Sequence, residues 1–245
     1  MRAEDVVPHL RALGFSEPDA ATLADHFLDA ERRGKRGHGL ARVEWLGTLP
    51  GLRPQATPRL VSARPGMRVW DGNGAVGYLT LAAMCDTVIA HPPPGATIVV
   101  ARRCFPTGVL GYWVRRLADA GLVALLTATS PARLPHPEGG EPLVGTIPLA
   151  IGIPSSDGKP LVSDVSMAKA TYGEVLAGLA PPEDLVPFGG EQAHKAFALA
   201  VGLSLAAEAL ADDEQAALLV VAKPEGDPVP GLRARAAGLR LPGDR

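Results

Sequence analysis

The stretch Asp71–Gly77, DGNGAVG, decides how this chain is read. From Gly72 to Gly77 it spells Gly-x-Gly-x-x-Gly, after a short apolar run (MRVW) and before a helical pattern. In that context the motif is the fingerprint of a Rossmann dinucleotide site, where backbone amides and a helix N-terminus face a pyrophosphate. Two neighbours argue against it. Asp71 puts a carboxylate at the mouth of the loop, where it would repel phosphate. The next strand, which should be followed by a ribose-binding acid, ends instead in Arg102-Arg103. A Gly-rich turn opening a helix is therefore the better reading.

Working outward, extended and helical patterns alternate. MRVWD, ATIVVAR, LVALLTAT, PLVSDVS and ALLVVAKP read as strands. YLTLAAMCDTVIAH, GVLGYWVRRLADAG, SMAKATYGEVLAG and HKAFALAVGLSLAAEALAD read as helices. Ser130–Gly145 is a loop rich in Pro and Gly. Toward the N-terminus the pattern is helical: Val6, Leu10 and Leu13 share a face. A second helix follows, with Ser16 as its N-cap, Pro18 near its start, and Ala20, Leu23, Ala24, Phe27 and Ala30 on its apolar side. HGLARVEWLGTLPG continues in helix, and LRPQATPRLVSARPGM is a Pro-rich connector. The expected architecture is α/β: an N-terminal helical part and connector over residues 1–60, packed on a layered α/β domain over 61–245 to which the C-terminal tail returns.

The 245 residues can bury a substantial core. A net charge of -2 gives no electrostatic case for nucleic acid or an anionic membrane. No apolar run reaches the roughly 18–20 residues of a membrane helix, and the small-residue-rich helix 196–211 reads as a core or dimer helix. The opening MRAEDVVPHLRALGF is an acid-containing amphipathic pattern rather than a signal peptide. Two cysteines make neither a disulfide framework nor a zinc site, and no histidine pair has metal-ligand spacing. A soluble cytoplasmic protein is the expectation.

Several segments, taken in order, resemble the malate/L-lactate dehydrogenase family of the second type, which includes ureidoglycolate and sulfolactate dehydrogenases and piperideine-2-carboxylate reductases. RGKRGHGLARVEWL (33–46) is similar to its Ser-His-Gly segment with a following arginine. DGNGAVG resembles its Asp-Gly-rich turn, and 126–154 its long loop with Thr-Asn-(Ser/Thr)-x-Pro, Gly-Gly and Gly-Thr-Asn-Pro-Leu-Ala. LVSDVSMAKATYGEV (161–175), GGEQAHKAFAL (189–199) and GLRLPGD (238–244) resemble further family segments. The resemblance implies a non-Rossmann (sulfolactate-dehydrogenase-like) α/β fold, NAD or NADP as cofactor, a small carboxylate substrate and a homodimer.

Reducing a 2-oxo or 2-imino acid needs a proton donor near pH 7 and a cation for the carboxylate. Histidine suits the first, and arginine, with its bidentate fork, the second. His38 and Arg42 are four residues apart, which would place them on one face of a helix starting there. By resemblance, His38 contacts the substrate or moves its proton, supported by Asp164, and Arg42 binds the carboxylate. Asp164 could equally be a helix N-cap. Also by resemblance, Ser130, Asp164, Val165, Ser166 and Lys195 are cofactor contacts. His9, His26, His91, His136 and His194 are weaker candidates.

The departures from the family pattern bear on activity. RRCFPTGVLGYW (102–113) puts Pro106 where the family has an acid-base histidine. Ile147 and Ala128 replace asparagines, and Tyr172 and Glu174 stand where Arg and Lys are common. The chain is also shortened after Ala180 and after Asp213. Two functions stay open: a divergent NAD(P)H-dependent reductase of a small 2-oxo, 2-hydroxy or cyclic 2-imino acid, or a redox-inactive descendant. The descendant would do cofactor-free acid-base chemistry (isomerase, cyclase or lyase) or act as a binding protein.

Overall fold

The computed structural model describes residues 1–244. Its N-terminal part, up to Leu46, is helical: α1 (Val6–Ala12), α2 (Glu17–Arg32) and α3 (Ala41–Leu46). Ser16 caps α2, its hydroxyl accepting the Asp19 N–H, and Glu17 and Asp19 complement the helix dipole. There follow β1 (Arg59–Arg64), β2 (Met67–Asp71), α4 (Gly77–Ala90), β3 (Thr97–Arg102), α5 (Leu110–Asp119) and β4 (Val123–Ala128). The chain closes with β5 (Pro148–Ile153), β6 (Leu161–Ser166), α6 (Tyr172–Leu176), α7 (Ala193–Ala211), β7 (Ala217–Ala222) and α8 (Val229–Arg235).

The seven strands form one sheet in the order β1-β2-β3-β7-β4-β5-β6, in which only β2–β3 is parallel. A Rossmann unit is a parallel doubly wound sheet, so this topology excludes one. The Gly72–Gly77 turn confirms it locally, because its amides are spent inside the protein. Gly72 N–H donates to Arg102 O (2.9 Å), Ala75 N–H to Gly72 O (2.7 Å) and Gly77 N–H to Phe105 O (3.2 Å). Asp71 clamps the turn: its carboxylate, 4% exposed, accepts from Arg102 Nε (2.9 Å), Arg103 Nε (2.8 Å) and the Asn73 N–H (2.7 Å). Burial alone would raise the Asp71 carboxyl, but these hydrogen bonds hold it below its ordinary value.

Helices α4 and α5 lie on one face of the sheet, with α2 packed on both. The main core runs without a break from Val6, Leu10, Leu23 and Phe27 through Leu81 and Trp113 to Val99, Leu126 and Leu219. The helical part therefore shares its core with the sheet. On the other face α7 packs through Ala196, Ala200, Ala207 and Ala211, and leaves Leu199, Leu205 and Leu210 exposed. By length and composition Gly190–Ala211 is long and apolar enough to cross a membrane, although Glu191, Lys195 and Glu208 interrupt it. Its buried alanine stripe packs on the sheet.

Other local expectations shift. PLAIGI, taken as loop, is β5, and part of the Pro-rich connector is β1. The helix expected from Ser166 begins only at Tyr172, behind a Thr171–Glu174 capping box. At the two places where the sequence reading expected shortening the chain turns tightly: a 3-10 turn at Pro182–Asp184, and Asp212 in the left-handed region before β7.

Candidate active site

A cleft of about 1020 Å³, counting its open mouth, lies where the α2–α3 connection, the loop before α5, the loop after β4 and the start of α6 meet. His38, Arg42, Ser130, Asp164 and Ser166 all line it. A second cleft of about 730 Å³ adjoins the first, the two sharing Lys35, Val109 and Asp164 in their linings. Val165, 46% exposed, borders the second. Lys195 lines neither: it is exposed on α7, and the structure does not bring it to the other candidates.

Arg42 is held by its own neighbourhood. The chain makes a 3-10 turn at Arg36–His38 and starts α3 only at Ala41, so His38 and Arg42 are not on one helix, as their spacing suggested. The turn instead offers Gly37 O to Arg42 Nε (3.0 Å), and the guanidinium stacks 4.3 Å from the Trp45 ring centroid. Gly37 is needed there because a Cβ would sit 2.6 Å from the Glu174 N. Arg42 is only 7% exposed, yet it makes no ion pair among the described residues and its Nη1 has no partner. A buried, unpaired cation is costly unless a ligand completes it.

His38 is half-buried against the cleft. Burial first, then the charges of Arg42, His26 and Lys35, push its imidazole down to about 3, so it is neutral at pH 7. Its imidazole makes no hydrogen bond to Asp164 or to any other described residue, so the expected support from a carboxylate is not formed in this structure. Asp164 lies inside β6, not at the start of the following helix. Its Oδ2 accepts the Gly111 N–H (3.0 Å) and so caps α5 from the neighbouring strand, which explains Gly111: a Cβ there would meet that oxygen at 2.8 Å. Burial raises the Asp164 carboxyl above its ordinary value, against the Gly111 N–H, Lys35 and Arg115. Ser166 donates its hydroxyl to Thr146 O (3.0 Å).

Pro106, following a cis peptide bond, is part of the lining where a histidine was expected. Sequence reasoning ranked His26 low and passed over Tyr78 and Arg133. His26 is fully buried among Phe27, Tyr78, Tyr112 and Trp113; its Nε2 accepts the Val109 N–H (3.0 Å) and burial pushes it down to about 4. Tyr78, 1% exposed, lines the cleft beside Arg42, which lowers its pKa against the burial that pushes it up to about 12. Arg133 reaches the cleft from the Pro-rich loop, its guanidinium 3.6 Å from the Tyr172 ring centroid. A histidine at i+9 of a helix and an arginine in an aperiodic loop carry no sequence signal for such placement.

The sheet and cleft together define a non-Rossmann α/β protein with a cation-lined pocket suited to a small acid. The chain belongs to the malate/L-lactate dehydrogenase family, whose model matches residues 4–181. It is 30% identical over 172 residues to the Δ1-pyrroline-2-carboxylate/Δ1-piperideine-2-carboxylate reductase of Pseudomonas aeruginosa (68% of this chain, 51% of that protein). It is 31% identical over 174 residues to the NADP(+)-dependent (2R)-3-sulfolactate dehydrogenase of Chromohalobacter salexigens (69% and 52%). The matched segment thus spans about half the length of these relatives, which are oxidoreductases. In fold it is similar to the Δ1-piperideine-2-carboxylate reductase of Pseudomonas syringae (TM-score 0.83, 23% identity, 99% of this chain and 89% of that one). It is likewise similar to the malate dehydrogenase of Entamoeba histolytica (TM-score 0.84, 20% identity, 99% and 85%).

Proposed function

We propose that this chain is a nicotinamide-dependent reductase of a small 2-oxo or cyclic 2-imino acid, working in reverse on the 2-hydroxy acid. The observation that carries this reading is the buried, unpaired Arg42 guanidinium facing a cleft in a chain of this family. An α-carboxylate admitted against the guanidinium would satisfy the unpartnered Nη1 while Trp45 backs the group from its ring face.

The residues fit an elongated anionic cofactor. The second cleft, beside the first, is lined by Lys35 and Arg240, whose charges suit phosphates, by Arg33 and Arg115, which pair with Asp29, and by Asp164 and Asp244. Asp164 lines both clefts, Ser130 and Ser166 line the first, and Val165 lines the second. When bound there, NADH or NADPH would supply hydride to the substrate's C2. The chain's own part is binding and proton handling. Arg42 fixes the carboxylate and so orients C2. His38, neutral at pH 7, offers a ring N–H to the substrate oxygen or nitrogen. Asp164, whose carboxyl is raised by burial, is the better proton store of the two. A protonated imine needs less acid than a ketone, which suits a site with Pro106 in place of a histidine.

Titration of the purified protein with NADH and NADPH, followed by nicotinamide fluorescence, tests the reading. Saturation at micromolar concentration is expected, with one of the two preferred. No binding up to millimolar would retire the reductase in favour of cofactor-free acid-base chemistry.

A further inference from the structure

Tyr78, the second residue of α4, carries a hydroxyl that the fold does not use. Its ring is 1% exposed and in edge contact with His26 (4.9 Å between centroids) and Phe27 (5.1 Å). Gly108 closes a further side, since a Cβ there would lie 2.3 Å from Tyr78 Cε1. Gly77 lets α4 begin against the Phe105–Pro106 backbone, where a Cβ would lie 2.7 Å from Pro106 O, so Tyr78 and Pro106 share a wall of the cleft. Among the described residues the hydroxyl makes no hydrogen bond, yet it is not one of the sealed, unpartnered polar atoms. It therefore opens on the cleft that Tyr78 lines. A buried phenol usually finds a hydrogen-bond partner; here the partner's place is in the cleft.

The other groups of the cleft are less suited to give a proton. His38, neutral at pH 7, has only a hydrogen-bonding N–H to offer. Glu174 is committed to the Thr171 N–H (2.7 Å) and hydroxyl (2.9 Å), and Asp164 Oδ2 to the Gly111 N–H. Tyr172 is half-buried, with Arg133 over its ring. Burial pushes the Tyr78 phenol up to about 12, so it holds its proton at pH 7, while Arg42 beside it favours the phenolate that donation leaves. An alkoxide is a stronger base than a phenolate, so transfer to it runs downhill.

We propose that Tyr78 is a catalytic residue whose hydroxyl gives the proton that a 2-oxo acid needs at its C2 oxygen. This rests on the reading of the chain as a reductase with Arg42 as the α-carboxylate clamp. As C2 accepts the nicotinamide's hydride, the π pair of the C=O bond moves onto oxygen. That oxygen takes the proton from Tyr78 Oη, and water from the cleft mouth reprotonates the phenolate. A cyclic 2-imino acid that arrives protonated at nitrogen accepts hydride without this transfer. The two substrate classes therefore depend on Tyr78 unequally.

Tyr78→Phe keeps the ring and removes only the oxygen. Binding to the full-length chain is read by calorimetry for pyruvate against propanoate and 2-oxopentanoate against pentanoate, pairs that differ in the C2 oxygen. NAD+ or NADP+ is present, neither of which can reduce the acid. At least one 2-oxo acid is expected to bind the native chain about three- to tenfold more tightly than its partner, the margin of one hydrogen bond. Y78F loses that margin and keeps the affinity the pair shares. Turnover with NADH or NADPH is then compared for that 2-oxo acid and for Δ1-piperideine-2-carboxylate. Y78F is expected to lower kcat about 100-fold or more for the 2-oxo acid and less than about threefold for the imine, whereas a damaged cleft would slow both. A missing margin in the native chain, an undiminished one in Y78F, equal slowing of both substrates, or the same losses in Y172F overturns the proposal and leaves the Arg42 reading standing. So does a native chain that reduces the imine alone. If the acids bind and neither substrate is reduced, the reductase reading falls and the proton transfer with it. If no acid binds at millimolar concentration, the Arg42 reading falls as well.

Discussion

A guanidinium that is 7% exposed with no carboxylate beside it opposes folding, because the protein desolvates the charge without replacing its water. Arg42→Met is therefore expected to leave stability unchanged or raise it by about 1 kcal/mol, while weakening binding of 2-oxo acids about 10- to 100-fold. Thermal melting and acid titration of the same variant check both halves. The two buried-side histidines set a second expectation. His26 is held down to about 4 and His38 to about 3, against an ordinary 6.5. Between those values the unfolded chain binds protons that the folded chain refuses, so stability is complete above about pH 6.5 and falls as pH drops toward 4. Denaturant midpoints measured from pH 7.5 to 4.5 should decline, with His26→Phe flattening part of that slope.

Among the elements, the joint between the Arg36–His38 turn and α6 positions the acid site. Gly37 and Gly173 let the two backbones touch, and Gly37 O then holds Arg42. Gly37→Ser restores the residue type that the family resemblance would favour, yet it drives a Cβ to 2.6 Å from Glu174 N. It is expected to cost about 1–3 kcal/mol of stability and to weaken acid binding by loosening Arg42, as melting and fluorescence titration would show. An improved binder would refute the joint. Asp164 shows how an element-level reading can be right in kind and wrong in place: it does cap a helix, but α5 rather than the following one. Helix α6 is short for a related reason, since its expected first residues are held as β6 and its continuation, and the capping box of Thr171 and Glu174 starts the helix late.

Across the whole molecule, one core joins α1 and α2 to α4, α5 and the sheet. The helical part and the sheet should then unfold together. Phe27→Ala, removing a fully buried ring of α2, is expected to cost about 3–5 kcal/mol. Far-UV dichroism, which reports helix and sheet, and tryptophan fluorescence, to which the buried Trp113 of α5 contributes, should shift as one transition. Two separated transitions would show that the helices form an independent unit.

The sequence alone determined the α/β class, most strand and helix positions and the dismissal of the Gly-x-Gly-x-x-Gly turn, and it singled out His38, Arg42, Ser130, Asp164 and Ser166, which line one cleft. Those follow from local periodicity, from a carboxylate misplaced for phosphate, and from motif order. Only the tertiary structure decided the strand order, because pairing between β3, β7 and β4 joins segments more than 80 residues apart. The same holds for the neutral state of His38, the unpartnered Nη1 of Arg42 and the arrival of Arg133. Desolvation and unpaired charge are properties of what surrounds a side chain, and here those surroundings come from four separate stretches of the chain.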